Sequence, residues 1–573
     1  MHQHALVCWV VPPPGGIRAA IPALAEACRM LTRLTFPVLL CCAGATALIA
    51  ADLPAPDQPI AAVIDACIRD ELAAKSITPA PPATEASLLR RTTLDLAGRI
   101  PTLTELTDFE NQSPSEKREK LVDRLFDSPD FALHQRNEWD TLLLPSTRES
   151  SGEWRDYLLK AALENRPWDQ MFADMLAAKE DDVSRRGALQ FVKSRARDLD
   201  DLTNDTSVLF FGVNVSCAKC HDHPLVDDWK QDHFYGMTSF FARTYVTRNR
   251  RVAEKSYAEV KFKTTKGLEK TGSLMFLTGA RIAEPPLELT PEQRKAEDEA
   301  VRKAMQDDKA ETPATATFSP RWELVQLALQ PENRPFLARA AVNRLWARFM
   351  GRGLVHPLDQ LHSSNAASHP VLLDWLERDF VEHGYDWKRL IRGIVLSEAY
   401  ARSSEWTGTS PTPGPETYAV SAIRPLTPRQ LGASLHLAVS NPASFENVLD
   451  AARWSQNRNG LEGAGNGWAG FFEQPTEHFQ VSATESLFFS NADRVQNELL
   501  RDSADRIVGV LKAMTDRDAG IQMAYRVILS RAPTDEELQA FRGFLSQRED
   551  RAVAGWQQAV WALITSPEFR FNY

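Results

Sequence analysis

Helix-start signals recur from one end of this chain to the other, and they constrain its architecture more than any other feature. Thr102-Leu103-Thr104-Glu105, Ser113-Pro114-Ser115-Glu116, Thr290-Pro291-Glu292-Gln293, Thr427-Pro428-Arg429-Gln430 and Thr534-Asp535-Glu536-Glu537 each set a hydroxyl three residues before a Glu or Gln. In that arrangement the hydroxyl accepts from the fourth residue's N–H and the longer side chain reaches back, so two backbone donors left open by a helix start are satisfied. Apolar residues at helical spacing follow such starts, as in Leu121, Val122, Leu125 and Phe126. Between Pro335 and Met350 they form a broad face of Phe336, Leu337, Ala341, Leu345 and Phe349, closed by Gly351 and Gly353. Ser368 before His369-Pro370 reads as a further N-cap. The predicted fold class is mainly α.

At 573 residues the chain is too long for one core, and two helical domains are expected with a small β-rich insertion between them. The first helical domain spans 59–245. Over 246–290 the texture changes, with Tyr257, Val260 and Phe262, then Leu274, Phe276 and Leu277, set among glycines and threonines. A charged helix and linker occupy 291–319, and a second helical domain runs over 320–573. No short-period repeat is present.

The beginning of the chain reads as an address. Arg29 and Arg33 flank Met30, an alternative start; an apolar run from Leu34 to Ile49 follows, and Ala50-Ala51 lead into a polar, proline-rich stretch. This is the pattern of a secretory signal over residues 1–51, with lipidation at Cys41 or Cys42 as the rival reading. The expected location is therefore outside the cytoplasm, in the periplasm or cell envelope. No later run is long enough to span a bilayer. A formal net charge of -10 argues against a nucleic-acid partner, and the short basic cluster Arg248 to Arg251 reads as a solvated loop.

Cys8, Cys28, Cys41 and Cys42 fall in or before the signal, which leaves Cys67, Cys217 and Cys220. That is too few for a disulfide scaffold. Two of them stand in Cys217-Ala218-Lys219-Cys220-His221, the c-type haem attachment pattern. Two thiols on one short turn meet the two vinyl groups of the macrocycle, and the next imidazole supplies the proximal nitrogen to iron. Cys217 and Cys220 are the expected thioether residues and His221 the axial ligand. His223, His233 and Met237 are candidate further ligands, with His369 a more distant one. Asp222 either orients His221 or caps a turn, and Trp229, Phe234, Tyr235, Phe240 and Phe241 either wall a haem edge or belong to the core. Other chemistries suit the same residues. Cys217, Cys220, His221 and His223 are donors for zinc, although their spacing is crowded; the two thiols also suit a redox dithiol or a structural disulfide.

These residues resemble a known family. From Cys217 to Phe241 the chain is similar to the hallmark of planctomycete-type exported proteins that pair a DUF1549, or cytochrome-c-like, domain with a DUF1553 domain. Leu89 to Leu96, Gly98 to Thr102, Trp154-Arg155-Asp156-Tyr157 and Asn165-Arg166-Pro167-Trp168-Asp169 fit the first domain. Asn333-Arg334-Pro335-Phe336, Asn343-Arg344-Leu345-Trp346, Gly351 to Val355, Ser368-His369-Pro370, Tyr385-Asp386-Trp387-Lys388 and the ending Ala562 to Phe569 fit the second. The resemblance implies an exported protein and assigns no activity.

The functional expectation is an exported c-type haem protein that transfers electrons to an unidentified redox partner or forms the redox part of an oxidoreductase. The alternatives are a non-haem metal enzyme and a cell-envelope protein with a Cys217–Cys220 disulfide. Asn343, Arg344, His369 and Arg392 are candidates for a polar cleft, against the reading that they form a buried network joining helices. The chain has no Gly-x-Ser-x-Gly, His-Glu-x-x-His or P-loop pattern.

Overall fold

Thr102, Thr290, Thr427 and Thr534 each close a reciprocal capping box at the head of a helix, as their spacing predicts. The computed structural model describes residues 54–223, 226–313, 317–475 and 479–573. The signal segment 1–51, with Met30, Cys41 and Cys42, lies outside the described residues. Both predicted domains are helical, and short strands lie between them. Thr244–Val246 pairs with Val252–Glu254, and Lys261–Lys263 pairs with Glu269–Thr271, both antiparallel. The charged helix Pro291–Gln306 returns to the first hairpin, where Val301 and Ala304 pack with Tyr245 and Ala253. Among the described residues no helix is long and apolar enough to cross a membrane.

Two helix starts differ from expectation. Ser113 does not cap. Its hydroxyl lies 3.2 Å from that of Ser115, its carbonyl accepts from Glu116 and Lys117, and the helix begins only at Lys117–Asp127. Pro114 thus belongs to a turn ahead of the helix. Ser368 does not cap Pro370–Glu382 either, because His369 occupies the boundary and Ser368 Oγ pairs with His369 Nδ1 at 3.1 Å. Pro370, at the first position, needs no acceptor.

The two domains interlock. Helix Ile60–Ala74 packs against Pro370–Glu382 and Trp387–Leu396, and Arg118 donates to the carbonyls of Val395 (3.3 Å) and Ser397 (3.1 Å). Helix Glu85–Ala97 carries two buried arginines to the other end of the chain. Arg90 donates to the carbonyl of Phe569 (3.1 Å), and Arg91 donates to those of Tyr573 (3.1 Å) and Arg402 (2.9 Å). Leu94 and Ile100 complete an apolar core otherwise built from the C-terminal region, with Leu431, Trp454, Ile528 and Val560. Residues Pro54–Tyr573 accordingly form one compact unit.

One buried charge network ties this junction. Arg99 donates to Asp130 through Nε (2.9 Å) and Nη2 (2.6 Å) and to Glu105 through Nη1 (2.7 Å). Trp454 Nε1 donates to Asp130 at 2.8 Å, and Arg458 pairs with the same carboxylate. Burial opposes ionisation of Glu105, but the guanidiniums of Arg99 and Arg124 outweigh it and hold this carboxyl far below the usual range.

Candidate functional site

The approach to the cysteine pentapeptide is set by a glycine and an asparagine. Helix Leu199–Phe211 ends at Gly212, whose φ of +68° is a left-handed conformation that a side chain resists. The chain then runs extended beside a segment of the second domain. Leu361 N–H donates to Gly212 O (2.9 Å), Asn214 N–H to Asp359 O (2.9 Å), and Asn214 Nδ2 to the Asp359 carboxylate (3.1 Å). Asn214 Oδ1 next accepts from the backbone N–H (3.1 Å) and hydroxyl (2.6 Å) of Ser216. This side chain turns the backbone into the 3-10 turn Ser216–Lys219.

That turn sorts its side chains. Val215 and Ala218 are buried, whereas Cys217, Cys220, His221 and Asp222 are exposed. Both thiols are free and not joined to each other. The far side of the turn is fastened to helix Gln231–Ser239. Gln231 Nε2 donates to Cys220 O at 3.1 Å, Tyr235 OH donates to Lys219 O at 3.1 Å, and Asp222 Oδ1 accepts from Gln231 N–H at 3.0 Å. His221 Nδ1 lies 2.7 Å from the carbonyl of Asp222. A carbonyl can only accept, so in the neutral imidazole Nδ1 carries the proton and Nε2 keeps the lone pair, the tautomer a metal binds. The Asp222 carbonyl thus contacts His221, while its carboxylate accepts from the first N–H of helix Gln231–Ser239 rather than from a turn of its own.

The candidate further ligands are placed differently. Met237 is fully buried, and Gly236 beside it abuts Met275. His233 Nδ1 accepts from Lys230 N–H at 3.1 Å, and burial lowers its pKa. His223 is half-buried, with its N–H on the Trp229 carbonyl at 2.8 Å. Trp229, Phe234, Phe240 and Phe241 are core residues, and Tyr235 stacks on Phe262 with centroids 4.1 Å apart. They therefore do not form an open haem wall. Among the described residues no group of three or more His, Cys, Asp or Glu side chains is placed to hold a metal ion. Zinc at Cys217, Cys220, His221 and His223 would require the loop to rearrange.

The fold adds residues that the sequence did not single out. Asp228 accepts from the backbone N–H (2.8 Å) and hydroxyl (2.6 Å) of Ser363, next to His362. Burial lowers the His362 pKa, Asp228 opposes this, and His223 reinforces it. The partners are 135 positions apart, so no local signal connects them.

The predicted polar cleft does not form as a unit. Asn343 clamps Val355, donating to its carbonyl (2.8 Å) and accepting from its N–H (2.9 Å). Arg344 donates to the Val208 carbonyl at 2.9 Å. His369 is buried against Tyr418, with ring centroids 5.4 Å apart. Arg392 pairs at the surface with Asp123 at 2.9 Å. Each side chain has a different partner.

Comparison with protein families matches residues 63–246 to DUF1549 (PSCyt2) and residues 320–449 to DUF1553 (PSD1), both described as proteins of unknown function. The chain pairs a DUF1549 domain with a DUF1553 domain. No curated protein and no solved structure matches it. The pentapeptide lies near the end of the DUF1549 match, and the segment laced to its approach, Asp359 to Leu361, belongs to the DUF1553 match. The exposed thiols therefore stand just beyond a seam between the two domains.

Proposed function

We propose that this DUF1549–DUF1553 protein is an exported c-type haem protein, serving in electron transfer or as the redox part of an oxidoreductase. One observation carries the reading: two unpaired, exposed thiols, one within a short turn and one at its end, are followed directly by an exposed imidazole whose Nε2 is free to ligate in the neutral tautomer. The donor set fits covalent haem. Cys217 and Cys220 would hold the macrocycle through thioethers and His221 would hold iron, which supplies one-electron chemistry when bound. The chain's own contribution is orientation. Asn214 starts the turn, Gln231 and Tyr235 hold its carbonyls, Val215 and Ala218 anchor it in the core, and the Asp222 carbonyl fixes the imidazole tautomer. Met237 stays buried and is not presented on the exposed face.

The test is periplasmic expression together with a c-type maturation system. The expected result is a haem band that survives denaturing electrophoresis, a pyridine haemochrome spectrum, and loss of both in Cys217→Ala and Cys220→Ala. Folded protein without covalent haem overturns the proposal. One zinc per chain by elemental analysis would then select the metal alternative, and Cys217 and Cys220 titrating as thiols only after reduction would select the disulfide alternative.

A further inference from the structure

A cavity of about 390 Å³ lies where helices Pro129–Leu143, Leu199–Phe211 and Arg334–Met350 meet Trp387–Leu396. Its volume falls in the range of small-molecule sites, and it lies at the seam between the two matched domains, where such sites concentrate. Trp139, Trp168, Trp387, Phe380, Leu209 and Leu345 supply a large apolar and aromatic lining. The charged lining is unbalanced. Three guanidiniums, those of Arg344, Arg348 and Arg352, line the cavity with one carboxylate, that of Glu138, which lies 3.6 Å from Arg348.

Arg344 is largely buried and only partly paired. It spends one Nη on the Val208 carbonyl, and its buried Nε has no hydrogen-bond partner among the described residues. Burial pulls its pKa down to about 10, partly offset by Asp359, so it remains charged at neutral pH. The indole N–H of Trp168, also lining the cavity, is likewise buried without a hydrogen-bond partner among the described residues. A poorly paired cation beside an apolar void is costly unless an anion completes it.

We propose that this cavity is a binding site for a small organic anion, with an apolar or aromatic body among Trp139, Trp168 and Trp387 and a carboxylate or sulfonate head at Arg344. The planar guanidinium suits a carboxylate, and the indoles suit a flat apolar body. The site is separate from Cys217, Cys220 and His221, so it stands whether or not haem is attached.

The test uses the mature full-length protein with 2-naphthoate and its neutral analogue 2-naphthalenemethanol, followed by quenching of tryptophan fluorescence and by calorimetry. Naphthoate is expected to bind at least tenfold more tightly than the alcohol. Arg344→Gln should weaken naphthoate about tenfold and leave the alcohol within twofold, while Ala341→Phe, which fills the void, should abolish both. Circular dichroism and a cooperative melt establish that each variant folds, and Arg352→Gln replaces Arg344→Gln if that variant does not. Equal affinity for acid and alcohol, or no binding of either to the wild type, overturns the proposal.

Discussion

Asn343 shows how one side chain can hold a segment that has no regular structure. Both ends of its amide serve the backbone of Val355, at the start of the irregular stretch that reaches the pentapeptide's approach. Asn343→Leu would leave a buried N–H and a buried carbonyl unpaired, each costing roughly 1–3 kcal/mol. Chemical denaturation should show a loss of that order; a change below about 0.5 kcal/mol would mean that water replaces the amide. His134 is fully buried, and its pKa is held well below 6.5 by burial, with Arg348 and Arg458 adding repulsion and the Asp95 backbone opposing; Glu138 lies 3.9 Å away. The folded state therefore refuses a proton that the unfolded chain accepts near its ordinary value. Stability should fall as pH drops below about 6.5, with a slope approaching about 1.4 kcal/mol per pH unit for this one group. Denaturation midpoints from pH 8 to pH 5.5 measure that slope, and His134→Gln should flatten it. At this scale the sequence was partly legible. Cys217, Cys220 and His221 are neighbours in the chain, and the capping threonines act within four residues. Asp228 with Ser363, and Arg344 with its void, are set by folding across more than a hundred positions, which no local pattern encodes.

At the scale of the element, the ion pairs range from fully buried to solvent-exposed. Asp130, in helix Pro129–Leu143, takes Arg99, Arg458 and the Trp454 indole together, all inside the core. Asp130→Asn would leave the buried Arg458 without its carboxylate partner and Arg99 with Glu105 alone, and a loss of about 3–5 kcal/mol is expected. Arg392→Gln removes an exposed pair with Asp123 and should cost less than about 1 kcal/mol. Measuring both variants by urea denaturation checks the contrast, and equal costs would contradict it. Helix positions were largely readable because caps and apolar spacing are local. The exceptions are instructive: Ser113 spends its hydroxyl on Ser115, and Ser368 spends its own on His369. A capping pattern gives the capacity to cap, while competing partners decide whether it is used.

At the scale of the whole molecule, two sequence domains share one core. Arg90 and Arg91 hold the last residues of the chain, Leu94 and Ile100 enter the C-terminal core, and Ile60–Ala74 lies on helices of the second domain. The sequence showed two domains through the linker and the change of texture between them, but a boundary in sequence does not reveal how much surface is buried across it. A single cooperative transition is expected, with circular dichroism and tryptophan fluorescence melting together. Two separated transitions would show that the domains unfold independently. Fragments 54–319 and 320–573 expressed apart should each expose apolar surface and bind a hydrophobic dye.

Leu358 walls the cavity, and just after it Asp359 and Leu361 are stitched to Asn214 and Gly212, only a few positions ahead of Cys217. The proposed anion site on one side of that short ribbon and the proposed haem turn beyond the other would share a mechanical support. If haem is attached as proposed and filling the void changes its midpoint potential through the ribbon, reciprocity requires that its oxidation state alter the anion's dissociation constant by a matching factor.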